Sequence, residues 1–486
     1  MNMKKRIKGI ACLLLACLIL VASGCVKTPD GEAVAAKTKI DGMHVGEVKS
    51  EDGTPTPQDP GQPEHIKESW TQALGDPDFG GAGTHQRLDY TVNIDADVVV
   101  PAGGIFPVYG VAKAKYMDED LFDRFVTVLF KDCEGIGCAP DGRSYEKGCF
   151  DSDDRLVSGP CCVNGANIEH DLDLLQGKAG IYSDEDYSYR EYLLFTASEN
   201  RTLSPNRGAG GGDVIGLPDY VFDYYGEGGM YEGIEGVEPV ERELRRNETS
   251  PEDALKIAEE FLSKVGLSDT LTLAYSGKAR LNTTLPAMSY EAMGFAFVPK
   301  VGSARMAPID IDDTVSTARL KYRNMSAGMD FDALWFPNVL RIYVYNGRIL
   351  YLHWTSCTSD NNDGVISRNA PLKPFSEIYE TFKAKLDLAG NVPPIGVNEA
   401  SPNEQKVNIN SIELCYYRVK AGTGAEDYAL VPVWVFMGNI EWKYDDPSQA
   451  QLIASADGTV IQGGAGYCIM MINAIDGSII DLTRGY

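Results

Sequence analysis

What most limits the folds open to this chain is the order of its hydrophobic periods. Two amphipathic helical stretches are each followed by a run of strand-like segments, with no strand-helix-strand alternation. The first, SPEDALKIAEEFLSKVGL, carries a capping residue at Ser250, a proline suited to the first helical position at Pro251, an acid at Asp253 that approximates a capping box, and a terminating Gly266. Its apolar face is Ala254, Ile257, Ala258, Phe261, Leu262 and Val265. The second, PFSEIYETFKAKLDLAG, places Phe375, Ile378, Tyr379, Phe382 and Leu386 on one face and ends at Gly390. After the first comes VLRIYVYNGRILYLHW, where Asn346-Gly347 predicts a two-residue type I′ hairpin pairing Tyr345 with Arg348, Tyr343 with Leu350 and Arg341 with Leu352, and setting His353 opposite Leu340. After the second come SIELCYYRVK, YALVPVWVFMG and the pair CIMMINA and SIIDL. Serial helix-then-strands order predicts an α+β fold of antiparallel sheets, each packed against one or two helices, in two or three modules.

The first half reads less regularly. LDYTVNIDADVVV alternates Leu88, Tyr90, Val92 and Ile94 with polar residues, as a half-buried strand does. In MDEDLFDRFVTVLFKD, Leu121, Phe122, Phe125, Val128 and Leu129 recur at helical spacing behind an acidic first turn. Tyr192 to Phe195 suits a strand, and the Gly-rich, acidic stretch from Arg207 to Gly236 suits an exposed loop.

The N-terminus fixes the setting. Lys4, Lys5, Arg6 and Lys8 precede sixteen uncharged residues, Gly9 to Gly24, which end in VASGC. That stretch falls short of the roughly 20 residues a membrane-spanning helix needs. Ala22, Ser23 and Gly24 before Cys25 resemble a lipobox, in which the cysteine is acylated and becomes the new N-terminus. The expected product is a lipoprotein anchored through Cys25 on the extracytoplasmic face of the cell membrane. Beyond Cys25, a stretch rich in Pro, Gly, Asp and Glu predicts a disordered stalk. The predicted organisation is a signal peptide at 1–24, a flexible stalk at 25–64, an N-terminal α+β domain at 65–248 with a Cys-rich insertion at 132–163, an α+β module at 249–368 and a C-terminal module at 369–486.

The formal charge of −26 becomes −30 when the four positive residues of the leader are subtracted, which disfavours nucleic acid as a partner. Eight cysteines follow Cys25, and five of them, Cys133, Cys138, Cys149, Cys161 and Cys162, lie within thirty residues. Outside the cytoplasm this cluster predicts disulfides. Zinc is the alternative, but the spacing contains no CxxC and the adjacent Cys161-Cys162 pair suits one tetrahedral ion poorly. No metal and no cofactor are expected. The acidic groups at Asp151, Asp153, Asp154 and at Asp360, Asp363 lack EF-hand spacing.

HExxH, GxSxG and GxxxxGK are absent, and the histidines are His44, His65, His85, His170 and His353. GAGGGDVIG lacks the flanking strand and cation of a phosphate loop, and DYVFDYYGEGGMY reads as a packed surface loop in preference to a sugar platform. The Asn-x-Ser/Thr sites at Asn200, Asn247, Asn282 and Asn324 are expected to be chance matches in a bacterial lipoprotein.

The helix at Phe375, the strand ending VPVWVF (Val431 to Phe436) and the turn NAIDG (Asn473 to Gly477) resemble the PepSY and YycI-like class of extracytoplasmic domains, small curved antiparallel sheets on a helix. With the lipobox and LDYTVNIDADVVVP, the chain also resembles a family of uncharacterised lipoproteins from clostridia and their relatives. The PepSY and YycI-like resemblance implies holding or restraining another envelope protein, in YycI-like proteins a sensor kinase, and the lipoprotein resemblance implies no catalytic residues. The readings, in order, are a non-enzymatic module that binds or regulates a cell-envelope protein, a solute- or glycan-binding lipoprotein, and an envelope hydrolase.

Overall fold

The computed structural model describes residues 44–72, 90–112, 243–283, 288–309, 338–355, 361–386, 404–420, 428–444, 459–462 and 467–480, the helical residues Leu121, Arg124, Phe125, Val128 and Leu129, and the backbone of seven strands between 145 and 232. In chain order the strands are β1 (His65–Gln72), β2 (Tyr90–Val99), β3 (Val108–Ala112), β4 (Tyr145–Phe150), β5 (Leu156–Ser158), β6 (Cys162–Val163), β7 (Leu175–Tyr182), β8 (Tyr189–Ala197), β9 (Tyr220–Tyr225), β10 (Met230–Glu232) and β11 (Glu243–Arg245). Helix α1 (Pro251–Lys264) precedes β12 (Leu271–Thr283), β13 (Met288–Val301), β14 (Ala304–Arg305), β15 (Val339–Tyr345), β16 (Arg348–Thr355) and β17 (Asn361–Ser367). Helix α2 (Phe375–Lys385) precedes β18 (Glu404–Lys420), β19 (Tyr428–Lys443), β20 (Thr459–Gln462) and β21 (Cys468–Asn473).

The described residues are mostly β, in two sheets. The eight-stranded sheet runs β1-β2-β18-β19-β3-β17, and the far edge of β19 is shared along its length by β3, β21 and β20. The thirteen-stranded sheet runs β10-β12-β13-β15-β16-β9-β8-β7-β4-β5. Both are mixed, which corrects the antiparallel expectation: β2 runs parallel to β18, and β11 parallel to β13. The parallel pairs arise because distant segments complete each sheet. Strands from 65–248 enter both sheets: β1 to β3 join the C-terminal strands, while β4 to β11 join those that follow α1. The stretch from Arg207 to Gly236, expected as a loop, supplies β9 and β10; its Tyr-rich DYVFDYY run pairs with both β8 and β16.

Helix α1 forms as its sequence predicts. Ser250 Oγ accepts the Asp253 N–H at 3.1 Å and Gly266 takes a positive φ of 75°. Its buried Ala254, Ala258, Phe261 and Leu262 pack on Phe295, Phe297, Leu340, Ile342 and Trp354, and Phe125 adds an edge-on contact with Phe261 at 5.2 Å. Helix α2 covers one face of the smaller sheet. Phe375 meets Trp434 at 4.7 Å and Phe382 stacks on Phe436 at 4.1 Å. The run VPVWVF is buried throughout, Trp434 and Phe436 under α2 and Val431, Val433 and Val435 on the opposite face.

The Asn346-Gly347 turn has the two positive φ values of a type I′ hairpin, 45° and 80°. The Tyr345–Arg348 and Val344–Ile349 pairs follow the expected register. An irregularity at Tyr343/Val344 moves the rest by one, so Tyr343 faces Tyr351, Arg341 faces His353 and Leu340 faces Trp354. Asn247, at a glycosylation-type triplet, has a local purpose: its Oδ1 accepts the N–H groups of Asn346 (2.9 Å) and Thr249 (3.1 Å), and its Nδ2 donates to the Val344 carbonyl (3.2 Å). Glu248 N and Thr249 Oγ1 complete the clasp on Asn346 and Gly347.

The described part of the expected stalk, residues 44–64, lies against the fold. Gln58 Nε2 donates to Asn369 Oδ1 (2.8 Å) and the Ala370 carbonyl (2.7 Å), its Oε1 accepts from Leu372 N (2.9 Å), and Val48 N donates to the Asn369 carbonyl (2.9 Å). Composition marks this stretch as open chain, but the buried Asn369 and the half-buried Gln58 tie it to the fold. The two sheets share a buried cluster that includes Ala296, Val298, Met306, Val339, Tyr416 and Leu430, and the Ala307 N–H donates to the Tyr416 carbonyl at 2.8 Å.

Candidate functional site

Alternation in β2 gives it two unlike faces: Tyr90, Val92, Ile94, Ala96 and Val98 are buried under α2, while Thr91, Asn93, Asp95 and Asp97 point away. The same alternation carries through β1, β18 and β19, stepping by one residue at the β18 irregularity between Ile409 and Ser411, and the outer face of the smaller sheet divides into two halves. One half is apolar and covered: Cys415, Val431, Val433 and Val435 lie beneath Ala307, Ile309, Ile480 and Val45. The other half is open and polar, and it is the candidate site.

A lateral chain of side-chain hydrogen bonds crosses it. Ser69 Oγ donates to Asn93 Oδ1 (2.8 Å), Asn93 Nδ2 to Asn408 Oδ1 (3.0 Å), and Asn408 Nδ2 to both Asn439 Oδ1 (2.8 Å) and Glu441 Oε1 (2.9 Å). Four strands are thus tied in one row, which leaves these side chains little rotamer entropy to lose. Beside the row, Lys67 pairs with Asp95, Lys406 pairs with Glu404 at 2.9 Å, and His65 lies between Asp95 and Asp97. The Lys67 hydrogen bond holds the Asp95 carboxyl below its ordinary value. Where the polar half meets the covered half, Arg305 of β14 grips Glu413 of β18 through two nitrogens, Nε at 2.7 Å from Oε1, and its third nitrogen donates to the Leu273 carbonyl at 3.0 Å.

A cleft of about 460 Å³ separates α2 from the NAIDG turn, lined by Lys373, Ser376, Glu377, Glu380, Thr381, Asp476 and Gly477. Lys373 is engaged with Glu377 at 2.8 Å, and Asp476 Oδ1 closes the turn on Ser478. NAIDG is accordingly a turn and VPVWVF a core strand.

Several expected site residues lie outside the described residues: Cys25, Cys133, Cys138, Cys161, Cys357, His85, His170, Asp151, Asp153, Asp154, Asp360 and the GAGGGDVIG run. Cys149 and Cys162 are placed by backbone only, in β4 and β6, which flank β7. Among the described residues no disulfide occurs. Cys415 and Cys468 are free, buried thiols, and burial pushes the Cys468 thiol up to about 12. His353, half-buried on β16, stacks near Tyr351 at 6.3 Å. Sequence reasoning passed over the polar row. Its signal is the run of Asn and Asp at alternate positions of β2, which marks a face but not its neighbours.

A scan of family models and a search of curated proteins return no match. Among solved structures, an uncharacterised protein from Eubacterium rectale is distantly similar: 10% identical, with a TM-score of 0.36 over 86% of this chain and 94% of that one. A likeness at that level assigns no family.

Proposed function

We propose that this chain is a non-enzymatic, extracytoplasmic lipoprotein, anchored to the cell membrane through Cys25, that binds or restrains another cell-envelope protein through the open polar half of its smaller sheet. The observation that carries the reading is the hydrogen-bonded row Ser69–Asn93–Asn408–Asn439, flanked by charges of both signs. A rigid face of mixed charge suits recognition of one protein partner, because complementary charges give specificity and mismatched ones are costly. The likeness to PepSY and YycI-like domains supports the same reading: a sheet braced by one helix leaves the polar half of its second face open. In this reading the covered half of that face is structural, and disulfides of the Cys-rich insertion brace the end of the larger sheet to which the insertion contributes β4 to β6.

The test is mild crosslinking and pull-down from solubilised envelope, comparing the wild-type chain with the double variant Lys406→Glu, Lys443→Glu. One protein recovered with the wild type and lost with the variant is the expected result. Recovery of no partner, or equal recovery with both, would count against the face. Cys25→Ser should move the protein out of the membrane fraction.

A further inference from the structure

His65 stands at the N-terminal end of edge strand β1, in register with Asp97 of β2. Its Nδ1 is 2.8 Å from Asp97 Oδ1 and its Nε2 is 3.0 Å from Asp95 Oδ1. A neutral imidazole carries a single N–H, so it donates to one of these carboxylates and turns a lone pair toward the other. Only the imidazolium donates to both. The remaining charged groups near it are Lys67, which shares Asp95, and Glu64, whose carbonyl accepts from Val98 N. Beyond Asp97 the next strand presents the uncharged Ser411.

We propose that His65 is a proton-operated clamp: protonated, it bridges Asp95 and Asp97 and fastens the end of β1 to the sheet, and on losing its proton it releases one carboxylate and alters the charge of the docking face. In the clamped state that face balances four cations (His65, Lys67, Lys406, Lys443) against four acids (Asp95, Asp97, Glu404, Glu441), and deprotonation leaves it one negative. The hydrogen bond to Asp97 raises the His65 pKa above its ordinary value of 6.5 in the folded chain. A raised pKa on a basic group stabilises the fold in full below the unfolded value and ceases to do so as pH rises through the folded value. The clamp therefore opens as pH rises through a folded value above 6.5, in the range where histidine switches operate.

The regulatory half of this inference rests on the polar face being the docking surface; the clamp itself does not. It is tested by following the imidazole resonances of the full chain through a pH titration, with His65 identified by the signal lost in His65→Gln. The expected midpoint lies above 6.5 and falls toward 6.5 in Asp97→Asn. Amide exchange in β1, corrected for its intrinsic pH dependence, should quicken about two- to fivefold across that midpoint, the range of an exposed ion pair, and should stay flat in His65→Gln. A midpoint at or below 6.5, or one that Asp97→Asn leaves unmoved, overturns the clamp. Partner recovery that is the same on both sides of the midpoint overturns its regulatory role. A normal titration with no partner recovered at any pH sinks the proposed function alone.

Discussion

Replacing Gly438 by alanine should cost the protein far more than its one methyl suggests. Gly438 pairs with Ile409 where β18 carries an irregularity, and a Cβ there would overlap the Asn408 carbonyl oxygen and lie 2.8 Å from its carbon and 3.0 Å from the Ile409 Cα. Ordinary carbon contacts are about 3.5 to 4.0 Å, and every obstructing atom is backbone, so no side-chain rotation relieves the overlap. The strands must part locally. Two ladder hydrogen bonds at about 1 kcal/mol each, plus the strain of displacing packed core, give about 3 to 5 kcal/mol. Gly277 is the control: it too is a strand glycine, here facing Gly294, but nothing lies within 4 Å of a Cβ built on it. Gly277→Ala should be neutral to within about 0.5 kcal/mol. Urea unfolding followed by tryptophan fluorescence reports directly, since Trp434 and Trp442 are buried on the same strand as Gly438. Equal midpoints for the two variants would refute the steric argument.

Two further outcomes follow from partly buried polar contacts. Asn247→Ala removes the acceptor for Asn346 and Thr249 and the donor to Val344, and should lower stability by about 2 to 3 kcal/mol, whereas Asn247→Asp keeps both acceptor contacts and should lose about half of that; thermal melts of the pair decide it. Glu413→Ala strands the Arg305 guanidinium between the sheets and should cost about 3 kcal/mol or more, while the joint replacement Arg305→Met, Glu413→Leu should cost less than the single change. If the double replacement is the more damaging in denaturant titrations, the pair is a net source of stability.

Local signals in the sequence were sufficient where the structure is local. Ser250, Pro251 and Gly266 mark both ends of α1, and Asn346-Gly347 marks its turn, because caps and tight turns are decided by a few neighbouring backbone angles. The hairpin register failed two residues later, since the irregularity at Tyr343/Val344 answers to the strands on either side and not to the turn. The partners of β2 were illegible for the same reason. Alternation told which residues of LDYTVNIDADVVV face a core, but not that the strand would pair with β18. The candidate site depends on that pairing. Asn93 reads as an ordinary exposed residue until Asn408 arrives beside it.

The β2–β18 pair also has a cost in time. Asn93 and Asn408 are 315 residues apart, and at about 5 to 20 residues per second β2 precedes its neighbour out of the ribosome by roughly 15 to 60 s. Throughout that interval Val92 and Ile94 present an apolar strand with an unpaired edge, the kind of surface that nucleates aggregation. Biosynthesis of this protein therefore depends on keeping its first strands unfolded or sheltered until its last ones are made, and overproduction that outruns such shelter should yield inclusion bodies seeded by residues 88–100.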